Sequence, residues 1–160
     1  MKIDKDGLLL CELQAMTFEK SIDRLGTSSE IFIRRFMKSE IAKRFDDESI
    51  LDSNIQSNDI LDFIEEEYGV SDYGTVKYTN NEIYWIGYIY RYFVITYKLM
   101  STQVYKVVKP KELKSLYLPY HTMDPAQAIE RILEAKGMLT DGTIELERQY
   151  EIFKRIRTKE

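Results

Sequence analysis

From Ile83 to Met100, eighteen residues pass without a proline or a turn dipeptide, and nearly all of them are apolar or aromatic. The densest part reads Tyr84-Trp85-Ile86-Gly87-Tyr88-Ile89-Tyr90-Arg91-Tyr92-Phe93. Ile, Val and Tyr also suit strands, so composition alone leaves one or two strands open. The start of the segment favours a helix. Thr79 and Glu82 form a capping box, in which hydroxyl and carboxylate each satisfy a free backbone N–H. On a helical wheel Gly87, Arg91, Val94 and Lys98 share one narrow face, and the rest is apolar. A helix apolar around most of its circumference is a buried one. The segment is therefore expected to be the central helix of the fold, at about residues 80–100.

Such a helix excludes some readings. Crossing a membrane would leave Arg91, Lys98 and several tyrosine hydroxyls without partners in lipid. Eleven of the twelve tyrosines fall between Tyr68 and Tyr120. Each carries a large ring and a hydroxyl that needs a partner when buried. They make either a core laced with hydrogen bonds or a gripping surface. Arg91 sharpens the question, because a charge among aromatics is costly unless paired, stacked or exposed. An arginine stacked in the core is favoured over one facing a binding surface.

Elsewhere helix signals dominate. Leu9, Leu13 and Met16 lie toward one side of a helix running from about Leu8 to Ile22. Gly26 breaks the chain, and Thr27 with Glu30 fits a second capping box. Ile33, Phe36, Met37, Ile41 and Phe45 then recur at three- and four-residue spacings. Residues 46–59 read as a polar loop with room for a short turn of helix. A helix follows from Asp59 to Tyr68, closed by Gly69; its acidic end, Glu65-Glu66-Glu67, opposes the macrodipole and calls for an outside contact. Residues 71–79 read as a loop and 101–108 as a short helix. Lys109-Pro110 restarts the chain, and Pro119 is expected to end that element. Asp124-Pro125-Ala126-Gln127 is the clearest start signal, and Gly137 closes its helix. A last helix is expected from about Thr143 to Ile156. The whole, residues 1–160, reads as a single compact all-α domain.

No reaction declares itself. Cys11 is the only cysteine and His121 the only histidine. Together they give no disulfide, no zinc ligand set and no nucleophile–histidine pair, and a reducing, cytoplasmic setting is expected. The run Leu8-Leu9-Leu10-Cys11 is short and flanked by Asp4, Asp6 and Glu12, unlike a secretory signal. No Gly-rich phosphate cradle is present, and no cofactor is expected. The acidic runs Asp46-Asp47-Glu48 and Glu65-Glu66-Glu67 read as solvated faces. Charge is divided unevenly: residues 1–80 carry a net of -7 and residues 81–160 a net of +3. Between Arg91 and Lys114 six basic residues meet only Glu112. A basic patch on an acidic protein can meet an acidic partner or nucleic acid, and the pI near 5.2 favours the former.

Three stretches carry a resemblance: residues 29–37 (Ser29-Glu30-Ile31-Phe32-Ile33-Arg34-Arg35-Phe36-Met37), residues 84–92, and Leu118-Pro119-Tyr120-His121-Thr122-Met123-Asp124-Pro125-Ala126-Gln127-Ala128-Ile129-Glu130-Arg131. Together, over about residues 27–136, they resemble a group of small bacterial proteins from gene neighbourhoods containing toxin–antitoxin components, including ADP-ribosyltransferase-like toxins. The resemblance implies an antitoxin-like partner and brings no catalytic residues. The expectation is a non-enzymatic protein-binding module. Its contact set would be Arg91, Lys98, Lys106, Lys109, Lys111, Tyr120 and His121. Two alternatives stand beside it. One is a small enzyme or toxin using Arg91, His121 and Asp124 in a tyrosine-lined pocket. The other is a single-stranded nucleic-acid binder using the aromatic and basic segment 84–114.

Overall fold

The computed structural model describes residues 3–138, and every element among them is helical. In chain order these are α1 (Lys5–Arg24), α2 (Ser29–Met37), α3 (Glu40–Asp46), a 3-10 turn (Ser49–Asp52), α4 (Ser57–Tyr68), α5 (Asn80–Tyr97), α6 (Ser101–Val107), α7 (Pro110–Tyr120) and α8 (Pro125–Ala135). The helix expected over about 143–156 lies outside the described residues. No described helix is long and apolar enough to cross a membrane.

α5 is the central helix, as its sequence implied, and it starts at the expected capping box. Thr79 accepts from the Glu82 N–H, and the Glu82 carboxylate accepts from the Thr79 N–H. α1 packs along it, with α6, α7 and α8 around the other sides. The face of α5 that meets α1 is the narrow one holding Gly87, Arg91 and Val94, all buried. At Gly87 an added Cβ would stand 2.9 Å from Cγ of Phe18 and 3.0 Å from Cα of Ala15. The absence of a side chain at Gly87 is what lets two helix backbones approach. Gly87, Arg91 and Val94 thus face inward, whereas Tyr84, Trp85 and Tyr88 are only half-buried.

The core's aromatic chain is phenylalanine. Phe18 meets Phe32 and Phe36 edge-on at 5.2 and 5.0 Å between ring centres, and Phe36 meets Phe45 at 5.5 Å. These T-shaped contacts set positive ring edges against negative faces.

Several local expectations are corrected. α1 buries Leu10, Gln14, Ala15 and Phe18, while Leu9 and Met16 are exposed, so its inner face is rotated from the expected one. Ser28, not Thr27, caps α2, accepting from the Ile31 N–H; Thr27 Oγ1 is buried with no hydrogen bond to a described residue. The expected continuous helix through Phe45 divides at Ser39, which donates to the Phe36 carbonyl and accepts from Ala42 N–H. That serine ends one helix and starts the next. α4 begins at Ser57, two residues early, through a reciprocal Gln56–Asp59 cap. Pro119 lies inside the last turn of α7 and does not end it. Asp124 and Pro125 open α8 as expected, with Asp124 accepting from Ala126 N–H.

Candidate functional site

Arg91 is the largest fully buried side chain, at 0% exposure. Burial alone would make its charge prohibitive, and each of the three guanidinium nitrogens donates a hydrogen bond. Its Nε donates to Gln14 Oε1 at 2.7 Å, one terminal nitrogen to Asp46 Oδ1 at 2.7 Å, and the other to Ser101 Oγ at 2.8 Å. The Phe45 ring lies 5.1 Å from its central carbon. Gln14 is held in turn by donating to the Gly87 carbonyl. Asp46 also accepts from the Ser101 N–H and hydroxyl, placing a carboxylate on the first turn of α6. One cation therefore ties α1, α3, α5 and α6 together. Burial pulls the guanidinium below its ordinary value and the Asp46 carboxylate opposes that shift.

The chain bends sharply to bring Asp46 and Ser101 together. Glu48 (φ 64°) and Lys98 (φ 53°) are the non-glycine residues with left-handed backbone among the described residues. One follows Asp46 by two positions and the other precedes Ser101 by three. Lys98 closes α5 by donating its N–H to the Val94 and Ile95 carbonyls. Both residues line a cleft of about 440 Å³ with Asp4, Asp46, Val94, Ile95, Thr96 and Leu99. Its lining includes three carboxylate residues and one lysine, with Asp46 already paired to Arg91 and Asp4 capping α1.

The expected contact residues do not form one surface. Arg91 leaves the set, because it is fully buried and paired with Asp46 within the protein. Lys98 lies exposed on the cleft beside Asp46, at the far end of α5 from its cap. Lys106, Lys109 and Lys111 belong to α6, the turn after it and α7. Lys109 lies 4.4 Å from the centre of the Tyr105 ring, and Lys38 of the α2–α3 junction lies 5.7 Å from the same ring. His121 is exposed and stacks on Tyr117 at 4.2 Å and 15°. Its Nδ1 sits 2.7 Å from the Tyr117 carbonyl, as expected of a histidine satisfied by backbone. Trp85 meets Tyr117 edge-on at 5.9 Å, completing a ladder of Trp85, Tyr117 and His121. Tyr120 is half-buried beside it.

Sequence reasoning missed an exposed leucine beside this ladder. α7 buries only Pro110 and Leu113, and Leu118 stands 80% exposed. Lys111, Lys114, Leu118 and His121 recur at three- and four-residue spacings, so they form one outward stripe. That spacing was readable in the sequence; that Lys111, Leu118 and His121 stay exposed, while Lys114 reaches Glu82 at 4.0 Å and the Tyr78 ring at 5.6 Å, was not. Among the described residues no group of three or more His, Cys, Asp or Glu side chains is placed to hold a metal ion.

The thiol and phenols have a pH signature. Burial pushes Cys11 up from 9.0 to about 12, and pushes Tyr88 and Tyr97 up from 10.0 to about 12. In the unfolded chain these groups ionise at their ordinary values, while in the folded chain they stay protonated. The stability they contribute is complete below about pH 9 and is lost progressively toward pH 12. Thermal midpoints are expected to be flat from pH 7 to 8.5 and to fall steeply above pH 9.5. Cys11 should resist iodoacetamide at pH 8 until urea unfolds the chain; rapid native labelling would contradict its burial.

Comparison with known proteins finds no matching family model, no matching curated protein and no matching solved structure.

Proposed function

We propose that this chain is a non-enzymatic protein-binding module, the antitoxin-like member of a toxin–antitoxin pair, which neutralises its partner by direct contact. The observation that supports a contact role is the outer stripe of α7. It combines a projecting leucine, a stacked and therefore rigid aromatic ladder, and the basic residues Lys111 and Lys114. Rigid aromatic anchors ringed by charge are what concentrate binding energy at interfaces. The partner class, an ADP-ribosyltransferase-like toxin, comes from the sequence resemblance alone. The stripe's basic character fits an acidic rim on that partner.

Coexpression with the neighbouring gene product tests this. A stable complex and rescue of growth are expected. Leu118→Asp combined with Lys111→Glu is expected to weaken the complex by at least about tenfold, since anchor truncations cost more than 1 kcal/mol. The thermal midpoint should barely move, because exposed positions usually shift stability by less than about 0.5 kcal/mol. Absence of both complex and rescue would remove the reading.

A further inference from the structure

A second surface, on the opposite sign of charge, is built between α3 and α4. The outer face of α4 carries Asp59, Asp62, Phe63, Glu66 and Glu67 at helical spacing, with Phe63 41% exposed. The whole helix has five carboxylates and no basic residue. Phe63 and Ile41 floor a concavity of about 360 Å³, rimmed by Glu40, Glu66, Glu67 and Arg44. Lys43 is already committed to Glu40 at 3.1 Å. The Glu67 carboxylate caps α3 by accepting from the Glu40 N–H at 3.0 Å. This is the outside contact that the acidic end of α4 required, and it anchors the rim. Glu66 makes no ion pair with any described residue. The negative end of the α4 macrodipole adds to the same field.

From this we infer that the α3–α4 groove seats a cationic segment of a protein partner: one large apolar side chain on Phe63 and Ile41, flanked by Lys or Arg reaching Glu66 and Glu67. The volume suits one or two such side chains at the small end of ordinary binding pockets. Charge complementarity selects the segment: three carboxylates outweigh Arg44 and the Glu40-bound Lys43 there, so a cationic segment meets a net negative rim and an acidic one would add like charge. This surface is separate from the α7 stripe and stands whether or not the partner assigned there is correct.

Selection of random twelve-residue peptides displayed on phage against the immobilised full chain tests the inference, followed by amide chemical-shift mapping with the enriched synthetic peptide. Enrichment of a large apolar residue between Lys or Arg is expected, with shifts centred on Ile41, Arg44, Phe63 and Glu66. Phe63→Ser and Glu66→Lys should each weaken that peptide about tenfold or more, and 0.5 M salt should weaken it further. Glu66 serves here because, unlike Glu67, it caps no helix, so its variant should fold normally. No enrichment, an acidic or uncharged consensus, or a peptide whose affinity ignores both variants would overturn the inference. So would a concentration-dependent dimer abolished by Phe63→Ser, which would make a second copy the occupant.

Discussion

Arg91→Ala is expected to lower folding stability by about 3–5 kcal/mol, the cost of removing one partner from a buried ion pair. The variant strands Asp46, whose carboxylate is held by Arg91 and by the first turn of α6, and leaves Gln14 Oε1 without its donor. It also empties a large volume beside Phe45. For a chain of this length the loss corresponds to a fall in the thermal midpoint on the order of 10 °C. Urea denaturation would measure it. A companion variant isolates the cause. Arg91→Met with Asp46→Asn removes both charges and keeps an acceptor for the Ser101 N–H, so it should recover a good part of the loss. If Arg91→Ala costs less than about 1 kcal/mol, the cation is not the node that joins α1, α3, α5 and α6. Binding tests carry the same lesson, since a weakened complex from an Arg91 variant would report unfolding rather than a lost contact.

Gly87→Val should be the next most damaging change, at about 2–3 kcal/mol, the upper part of the usual range for overpacking a filled core. The first added carbon alone would sit 2.9 Å from the Phe18 ring and 3.0 Å from the α1 backbone at Ala15. Helix propensity pulls the other way, since alanine in a helix interior is favoured over glycine by about 1 kcal/mol. Gly87→Ala is therefore the more telling variant. Close packing predicts a net loss, because the backbone of α1 cannot yield as a flexible side chain could. A measured gain in stability would show that α1 and α5 are free to separate. Comparing the two variants by thermal denaturation separates propensity from steric conflict.

Both predictions arise on the one face of α5 whose role the sequence left open. Its pattern was legible: Gly87, Arg91, Val94 and Lys98 share a stripe, and the capping box at Thr79 fixes the register. A stripe of small and charged residues on an aromatic helix has two solutions, however. It can face water, or it can face other helices that bring a glutamine, a serine and a carboxylate to meet the charge. Those partners come from Gln14, Asp46 and Ser101, and the hydrogen bonds to Gln14 and Asp46 span 77 and 45 residues of chain. No local period encodes them. α1 fails for a related reason. Its apolar residues surround the helix, so the stripe of Leu9, Leu13 and Met16 looked no worse than the true inner face of Leu10, Gln14 and Phe18.

The candidate surfaces divide in the same way. The lysines after Arg91 and the acids of α4 are evident in the residue order, and so is their separation into a basic and an acidic half. Which of them share a surface is a tertiary fact. Folding draws Lys109 and Lys38 to one tyrosine ring, leaves Leu118 uncovered, and sets Phe63 between carboxylates beside Ile41.

The sequence by itself determined the all-α class, the central helix from its cap near Thr79, the start of α8 at Asp124, and the single domain. These depend on caps, prolines and hydrophobic period, which act over a few residues. Only the tertiary structure decided that the narrow face of α5 turns Gly87, Arg91 and Val94 inward and leaves Lys98 outside. Whether a charge is buried is set by the distant groups that neutralise it, and those meet only when the helices pack.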